Sequence, residues 1–168
     1  TMGTTITFWH SMGGVNGEAM DYLVNKFNEE NTDGITVEAV YQGEYDDTIN
    51  KLKSAQIGNM GADLVQIYDI GTRFMIDSGW VIPMQELINA DGYDISQIEP
   101  NIAAYYTVNN ELYSMPFNSS TPILYYNKDM FEKAGITEVP TSLEGILAIG
   151  DDLKTKGGAG EPLALSIY

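Results

Sequence analysis

The chain of 168 residues has no cysteine, so no disulfide framework, thiol nucleophile or thiolate metal site can be built from it. Basic residues are scarce: 8 Lys and Arg stand against 24 Asp and Glu, for a formal net charge of −16. That balance disfavours nonspecific binding to nucleic acid or to an anionic membrane. It leaves room for an anionic small molecule, because local donors outweigh distant charges screened over a Debye length of about 8 Å. No apolar run approaches the ~20 residues that span a bilayer, and no basic stretch followed by an apolar segment opens the chain. Any targeting signal is expected to have been removed, and Thr1-Met2-Gly3 is set aside as a remnant. Nucleotide cradles are missing too: neither Gly13-Gly14 nor Gly157-Gly158-Ala159-Gly160 fits GxGxxG or GKS/T. A calcium loop around Asn89-Ala90-Asp91-Gly92 fails, with Leu87 at its first ligand position and Ile98 in place of the bidentate Glu. No cofactor and no metal is expected.

What is present is a core-forming composition, 43% hydrophobic, organised around Met115-Pro116-Phe117-Asn118-Ser119-Ser120-Thr121-Pro122. Two prolines bracket small hydroxyl and amide side chains. The β-type run Ile123 to Tyr126 follows, closing on the helix-start signal Asn127-Lys128-Asp129. Ser119, Ser120 and Thr121 can offer hydroxyls and backbone N–H groups to a ligand, because small side chains let it approach the backbone.

Before this stretch the chain alternates strand and helix. Strands are expected at Ile6 to Trp9, Ile35 to Tyr41, Ala62 to Tyr68 and Leu112 to Met115. Helices are expected from Asn16 (as N-cap) to Asn28, Tyr45 to Ile57, Thr72 to Asp77 and Met84 to Ile88. After it come a helix from Lys128 to Ala134 ended by Gly135, another opened by Pro140-Thr141-Ser142 and running to about Lys156, and a strand from Pro162 to Tyr168. The β-α-β-α order argues for an α/β fold with a parallel-rich sheet flanked by helices and right-handed crossovers. The expected organisation is a first lobe over 1–116, a hinge and first strand over 117–127, and the beginning of a second lobe over 128–168. So small a second lobe would not bury a self-sufficient core, so a truncated fold is expected. Its exposed strand edges would invite self-association or pairing with the missing C-terminal half.

Ligands of open parallel sheets bind beyond the carboxyl ends of the strands. The loops His10–Gly14, Gln42–Tyr45, Asp69–Thr72 and Phe117–Thr121 therefore supply the candidates His10, Ser11, Tyr45, Asp69, Ser119 and Ser120. Together they form a hydrogen-bonding set suited to a polyhydroxylated ligand. A His10-Ser11-Asp69 triad is disfavoured because Ser11 lies in no nucleophile elbow and directly follows the histidine; His10 is expected to donate a hydrogen bond from its loop. Asp46-Asp47, Glu29-Glu30 and Asp151-Asp152 are adjacent on helices, diverge, and are expected to be solvated. An α/β hydrolytic enzyme remains the competing class, although glycosidases need two facing carboxylates and only Asp69 sits convincingly in the loop set. A purposeful truncation serving as an assembly or folding unit is a third reading.

Three motifs then carry a resemblance: Phe8-Trp9-His10-Ser11-Met12, Gln66-Ile67-Tyr68-Asp69-Ile70-Gly71-Thr72, and Pro116-Phe117-Asn118-Ser119-Ser120-Thr121-Pro122 with Leu124-Tyr125-Tyr126-Asn127-Lys128-Asp129. In this order and spacing they resemble the extracellular solute-binding proteins of ABC importers, most of all the branch that binds glycerol-3-phosphate and glycerophosphodiesters. The resemblance implies a two-lobed, type II periplasmic-binding-protein-like fold of which this chain is about the first half. It also implies a small-molecule solute captured without bond breaking, and an ABC permease whose transmembrane subunits receive it. The implied location is extracellular or periplasmic, with a lipid anchor through an upstream signal segment. By motif, Tyr45 falls on a ligand-contacting tyrosine, Asp69 on an acidic acceptor of ligand hydroxyls, and Ser120 on a hinge serine. The glycerophosphate branch carries Glu where Asp69 stands, and sugar-binding relatives can carry Asp, so an oligosaccharide is the alternative ligand.

Overall fold

The computed structural model describes residues 3–164. They fall into two compact units, Thr1–Asn118 and Ser119–Tyr168, and the division lies inside the 117–127 stretch.

In the first unit, β1 (Thr4–His10), β2 (Ile35–Tyr41) and β3 (Leu64–Val65) form a parallel sheet in the order β2-β1-β3. β-Branched and aromatic residues suit the pleated, half-buried β1, which pairs along its whole length with β2, from Thr4 opposite Ile35 to His10 opposite Tyr41. On its other side Phe8 and Trp9 face Leu64 and Val65. The three carboxyl ends therefore emerge together, at the end where α1 (Gly14–Glu30) and α2 (Tyr45–Ile57) begin. The α2 boundaries are those the periodicity gives. Its start is fixed by a capping box in which the Glu44 side chain accepts the Asp47 N–H and the Asp47 carboxylate accepts the Glu44 N–H. Asp47 is exposed, as expected of a solvated helix residue, and in addition serves as a cap. α1 starts earlier than expected, with Gly13 and not Asn16 at the N-cap. Of its apolar face only Met20 is fully buried, while Leu23 and Phe27 stay exposed.

A 3-10 turn over Asp69–Gly71 leads into α3 (Thr72–Ser78), followed by α4 (Met84–Asp91) and α5 (Pro100–Tyr105). Gly71 is buried, and a Cβ there would lie 2.7 Å from Ile67 Cγ2 and 3.1 Å from Ile49 Cδ1, so a side chain would part the turn from α2. The expected strand Leu112 to Met115 is replaced by a hairpin, β4 (Thr107–Val108) and β5 (Glu111–Leu112). Asn109 and Asn110 both adopt left-handed φ, at 53° and 66°, the pattern of a type I′ turn that matches strand twist. Ile49, Leu52, Met75, Ile88 and Leu112 fill the unit's interior with Met20.

In the second unit α6 (Lys128–Ala134) is capped by Asn127, whose side chain accepts the Met130 N–H, and ended by Gly135 at φ 74°. Ser142 caps the next helix, accepting the Gly145 N–H. The single helix expected to run to about Lys156 is instead two, α7 (Leu143–Ala148) and α8 (Gly150–Thr155), parted at Ile149. Gly145 and Gly150 weaken a continuous helix there, and the break lets Ile149 and Leu153 pack with Phe131 and Ala134. Ile123 to Tyr126 form no ladder, because no strand among the described residues of this unit is available to pair with them. They stand exposed. Pro162 to Ala164 are irregular, and the rest of the strand expected there, 165–168, lies outside the described residues. Among the described residues no helix is long and apolar enough to cross a membrane.

Candidate ligand-binding site

The carboxyl end of the first unit's sheet gathers a polar and aromatic cluster. Tyr45 is the first residue of α2 and Tyr68 follows β3; their rings stack with centroids 5.8 Å and planes 11° apart. The Tyr68 hydroxyl donates to Asp46 Oδ1 at 2.7 Å. That bond, then burial, then the charges of Asp46 and Asp69 push the phenol's pKa up from 10.0, so it stays protonated. Asp46 is exposed, as expected of a solvated helix residue, and its carboxylate also accepts the Tyr68 hydroxyl. Asp69 is exposed at the head of the 3-10 turn, with Oδ1 accepting the Ile70 N–H at 2.9 Å.

Two amides that sequence reasoning did not single out tie this cluster together. Gln66 accepts the Ser11 N–H at Oε1, 2.9 Å, and donates through Nε2 to Asn118 Oδ1, 2.9 Å. Asn118 in turn donates to the Tyr45 hydroxyl at 3.0 Å and lies 3.8 Å from Met12 Sδ. The available signals were a glutamine directly after the apolar pair Leu64-Val65, and an asparagine beside the hinge hydroxyls.

His10 and Ser11 are placed inside. His10 ends β1, is 3% exposed, and sits between the Phe8 and Tyr41 rings at 5.7 and 5.9 Å. Its Nδ1 accepts the Met12 N–H at 3.2 Å. The expectation of a loop histidine donating a hydrogen bond is corrected here: the ring is a strand-end acceptor, so a neutral ring carries its proton on Nε2. Burial lowers its pKa below 6.5, against a smaller upward pull from Asp21. Ser11 is 6% exposed and its hydroxyl bonds Thr48 Oγ1 at 2.6 Å. With the serine engaged by Thr48 and the imidazole by Met12, these residues do not form a nucleophile and base pair.

Ser119 and Ser120 belong to the second unit, exposed in the irregular segment that precedes α6. Two concavities lie elsewhere: about 340 Å³ against Tyr126, Phe131 and Ile136 in the second unit, and about 630 Å³ against Ile95, Ile98, Asn109 and Asn110 in the first. Neither contains Tyr45, Asp69 or Ser120. Among the described residues no group of three His, Cys, Asp or Glu is placed to hold a metal ion.

Residues 13–166 match the model of a family described as bacterial extracellular solute-binding protein. The chain is 43% identical over 138 residues to the sn-glycerol-3-phosphate-binding periplasmic protein UgpB of Salmonella paratyphi A, covering 79% of this chain and 31% of that protein. The structure is similar to that of UgpB from Mycobacterium tuberculosis in complex with glycerophosphocholine, with a TM-score of 0.72 and 28% identity over 91% of this chain and 40% of the other. The sugar-binding protein MalE of Xanthomonas citri shares the fold, with a TM-score of 0.77 at 23% identity over 91% of this chain and 38% of the other. The chain thus spans about a third of the length of the curated relatives it matches.

Proposed function

Because the chain belongs to the family of bacterial extracellular solute-binding proteins, we propose that its protein captures a small polyhydroxylated solute outside the cytoplasmic membrane and hands it to the transmembrane subunits of an ABC importer. The solute favoured is glycerol-3-phosphate or a glycerophosphodiester. The observation carrying this reading is the Tyr45-Tyr68-Asn118 cluster with Asp69 beside it, at the carboxyl end of a parallel sheet, in a chain 43% identical to a glycerol-3-phosphate-binding relative. Tyr45 and Asp69 bind from the first lobe. Ser120, with Ser119 beside it, acts at the crossover, and Ser11 and His10 brace the loop behind the site. The 117–127 stretch is the hinge between a lobe over 1–116 and one beginning at 128, and closure about it buries the solute. No covalent step is involved. A lipid anchor upstream, further chain completing the second lobe, and self-association of the chain in its absence belong to the same proposal.

A carbohydrate is the second reading. It is favoured by Asp69, which stands where the glycerophosphate-binding branch that the motifs resemble carries a glutamate. Calorimetric titration of the full-length protein with glycerol-3-phosphate, glycerophosphocholine and a panel of oligosaccharides separates the two. Binding of a glycerophosphate supports the first, binding of sugars alone supports the second, and turnover of any of them sinks both. In either case Asp69→Ala should weaken binding by about 1.5–3 kcal/mol, the worth of a charge-assisted hydrogen bond; unchanged affinity removes Asp69 from the site.

A further inference from the structure

The hydrogen bonds behind Tyr45 run in one direction, and a backbone group sets that direction. The Ser11 N–H can only donate, so the atom of Gln66 that it meets at 2.9 Å is the carbonyl oxygen, and the other end of Gln66 is its NH2. That NH2 needs an acceptor 2.9 Å away, which fixes the Asn118 oxygen towards Gln66 and the Asn118 NH2 towards Tyr45, 3.0 Å from the phenolic oxygen. Turning either amide over would set donor against donor or acceptor against acceptor. The relay ends with the Tyr45 oxygen receiving a hydrogen bond and its own proton directed elsewhere. Tyr68, stacked on Tyr45, has the opposite polarity. A carboxylate only accepts, so the Tyr68 proton is held by Asp46 at 2.7 Å and its remaining oxygen lone pair is left to accept.

We propose that Gln66 and Asn118 are positioning residues that make Tyr45 a hydrogen-bond donor to the solute beside Tyr68 as an acceptor, so that the stacked pair selects an oxygen without a proton lying next to a free hydroxyl. This rests on the reading of the cluster as a solute site. An anionic phosphate oxygen a few bonds from a glycerol hydroxyl has that pattern. Specificity arises because the wrong polarity at either phenol leaves a desolvated group unpaired.

The test is a double-mutant cycle in the full-length protein, titrated with glycerol-3-phosphate and glycerophosphocholine. Tyr45→Phe and Asn118→Leu should each weaken binding by about tenfold, the value of one neutral hydrogen bond. The double variant should bind no more weakly than Tyr45→Phe alone, since without the phenol the amide has nothing left to orient. Multiplying losses, about a hundredfold in the double variant, would overturn the relay. A second measurement needs no solute. By NMR of the unliganded protein, the Asn118 side-chain amide protons should exchange slowly, and should exchange faster in Gln66→Leu. They should also exchange faster in Gln66→Glu, which still accepts the Ser11 N–H but cannot donate to Asn118. Equal rates in all three would refute the relay. A protein that binds neither glycerophosphate nor sugar yet keeps this exchange pattern sinks the solute reading and leaves the relay standing.

Discussion

Thr48→Val should destabilise the protein far more than its loss of one oxygen suggests, and a second substitution should repair it. Thr48 is 0% exposed and its hydroxyl lies 2.6 Å from that of Ser11, itself 6% exposed, so each hydroxyl is the other's partner in a place water scarcely reaches. Valine keeps the shape of threonine but faces Ser11 with a methyl group, stranding its hydroxyl at a cost of about 1–3 kcal/mol. Ser11→Ala strands Thr48 in the same way. The double variant strands neither, so it should lie within about 1 kcal/mol of the wild type, whereas adding the single losses would give about 2–6 kcal/mol. Urea unfolding of the four proteins, with unchanged m-values, reads this coupling directly. Because the Ser11 hydroxyl faces Thr48, the double variant should also bind solute as the wild type does. A double variant as unstable as the sum of the singles would refute the claim that this pair is held by mutual satisfaction.

Stability should also report on His10. Its native pKa lies below the ordinary 6.5, so the stabilisation from keeping the ring neutral is complete above 6.5 and is lost as pH falls through that value towards the lower native one. Urea midpoints across this range should fall in the wild type by more than in His10→Gln, and parallel curves would contradict the assignment. Gly157→Ala should cost about 1–3 kcal/mol, because its Cβ would lie 2.7 Å from the Leu153 carbonyl oxygen and 2.8 Å from that of Met130, backbone atoms that cannot step aside. Gly160→Ala, with nothing within 4 Å, should be close to neutral, and equal unfolding midpoints for the two variants would count against this. Finally, Ile123 and Tyr125 are 67% and 87% exposed in a segment with unpaired backbone. The 168-residue chain by itself should therefore associate in light scattering, and Ile123→Lys with Tyr125→Lys should reduce it; a monodisperse monomer would contradict the argument.

What was legible in the sequence was what short-range chemistry decides. The α2 and α6 boundaries followed from apolar spacing and from caps within three residues, and Asn127, Ser142 and Gly135 act as their types predict. The parallel pairing of β1 with β2 and β3, though not their spatial order, followed from alternation of strand and helix. Errors came where a second body decides. Ile123 to Tyr126 have strand composition, but a strand exists only with a partner to complete its ladder, and the described residues of its unit offer none. The Asn109-Asn110 hairpin was legible in principle, since two asparagines in succession tolerate the left-handed φ that a type I′ turn demands.

The candidate cluster was half legible for the same reason. Tyr45 and Asp69 announce themselves by standing just past strands, a position set by local sequence. Gln66 acts through Ser11 and Asn118, 55 and 52 residues away, Thr48 through Ser11, 37 away, and Asn118 also through Tyr45, 73 away, which no window along the chain brings together. Those distances also make the cluster conditional on the sheet. Ser11 meets Gln66 only because β1 lies beside β3 with Trp9 opposite Val65, so a slip of one residue in that pairing would turn the β3 side chains to the other face and break that contact. The register of a strand pair only two residues long therefore sets the polarity of a phenol at the site. Core substitutions that loosen β3 should consequently act on solute affinity before they act on secondary structure.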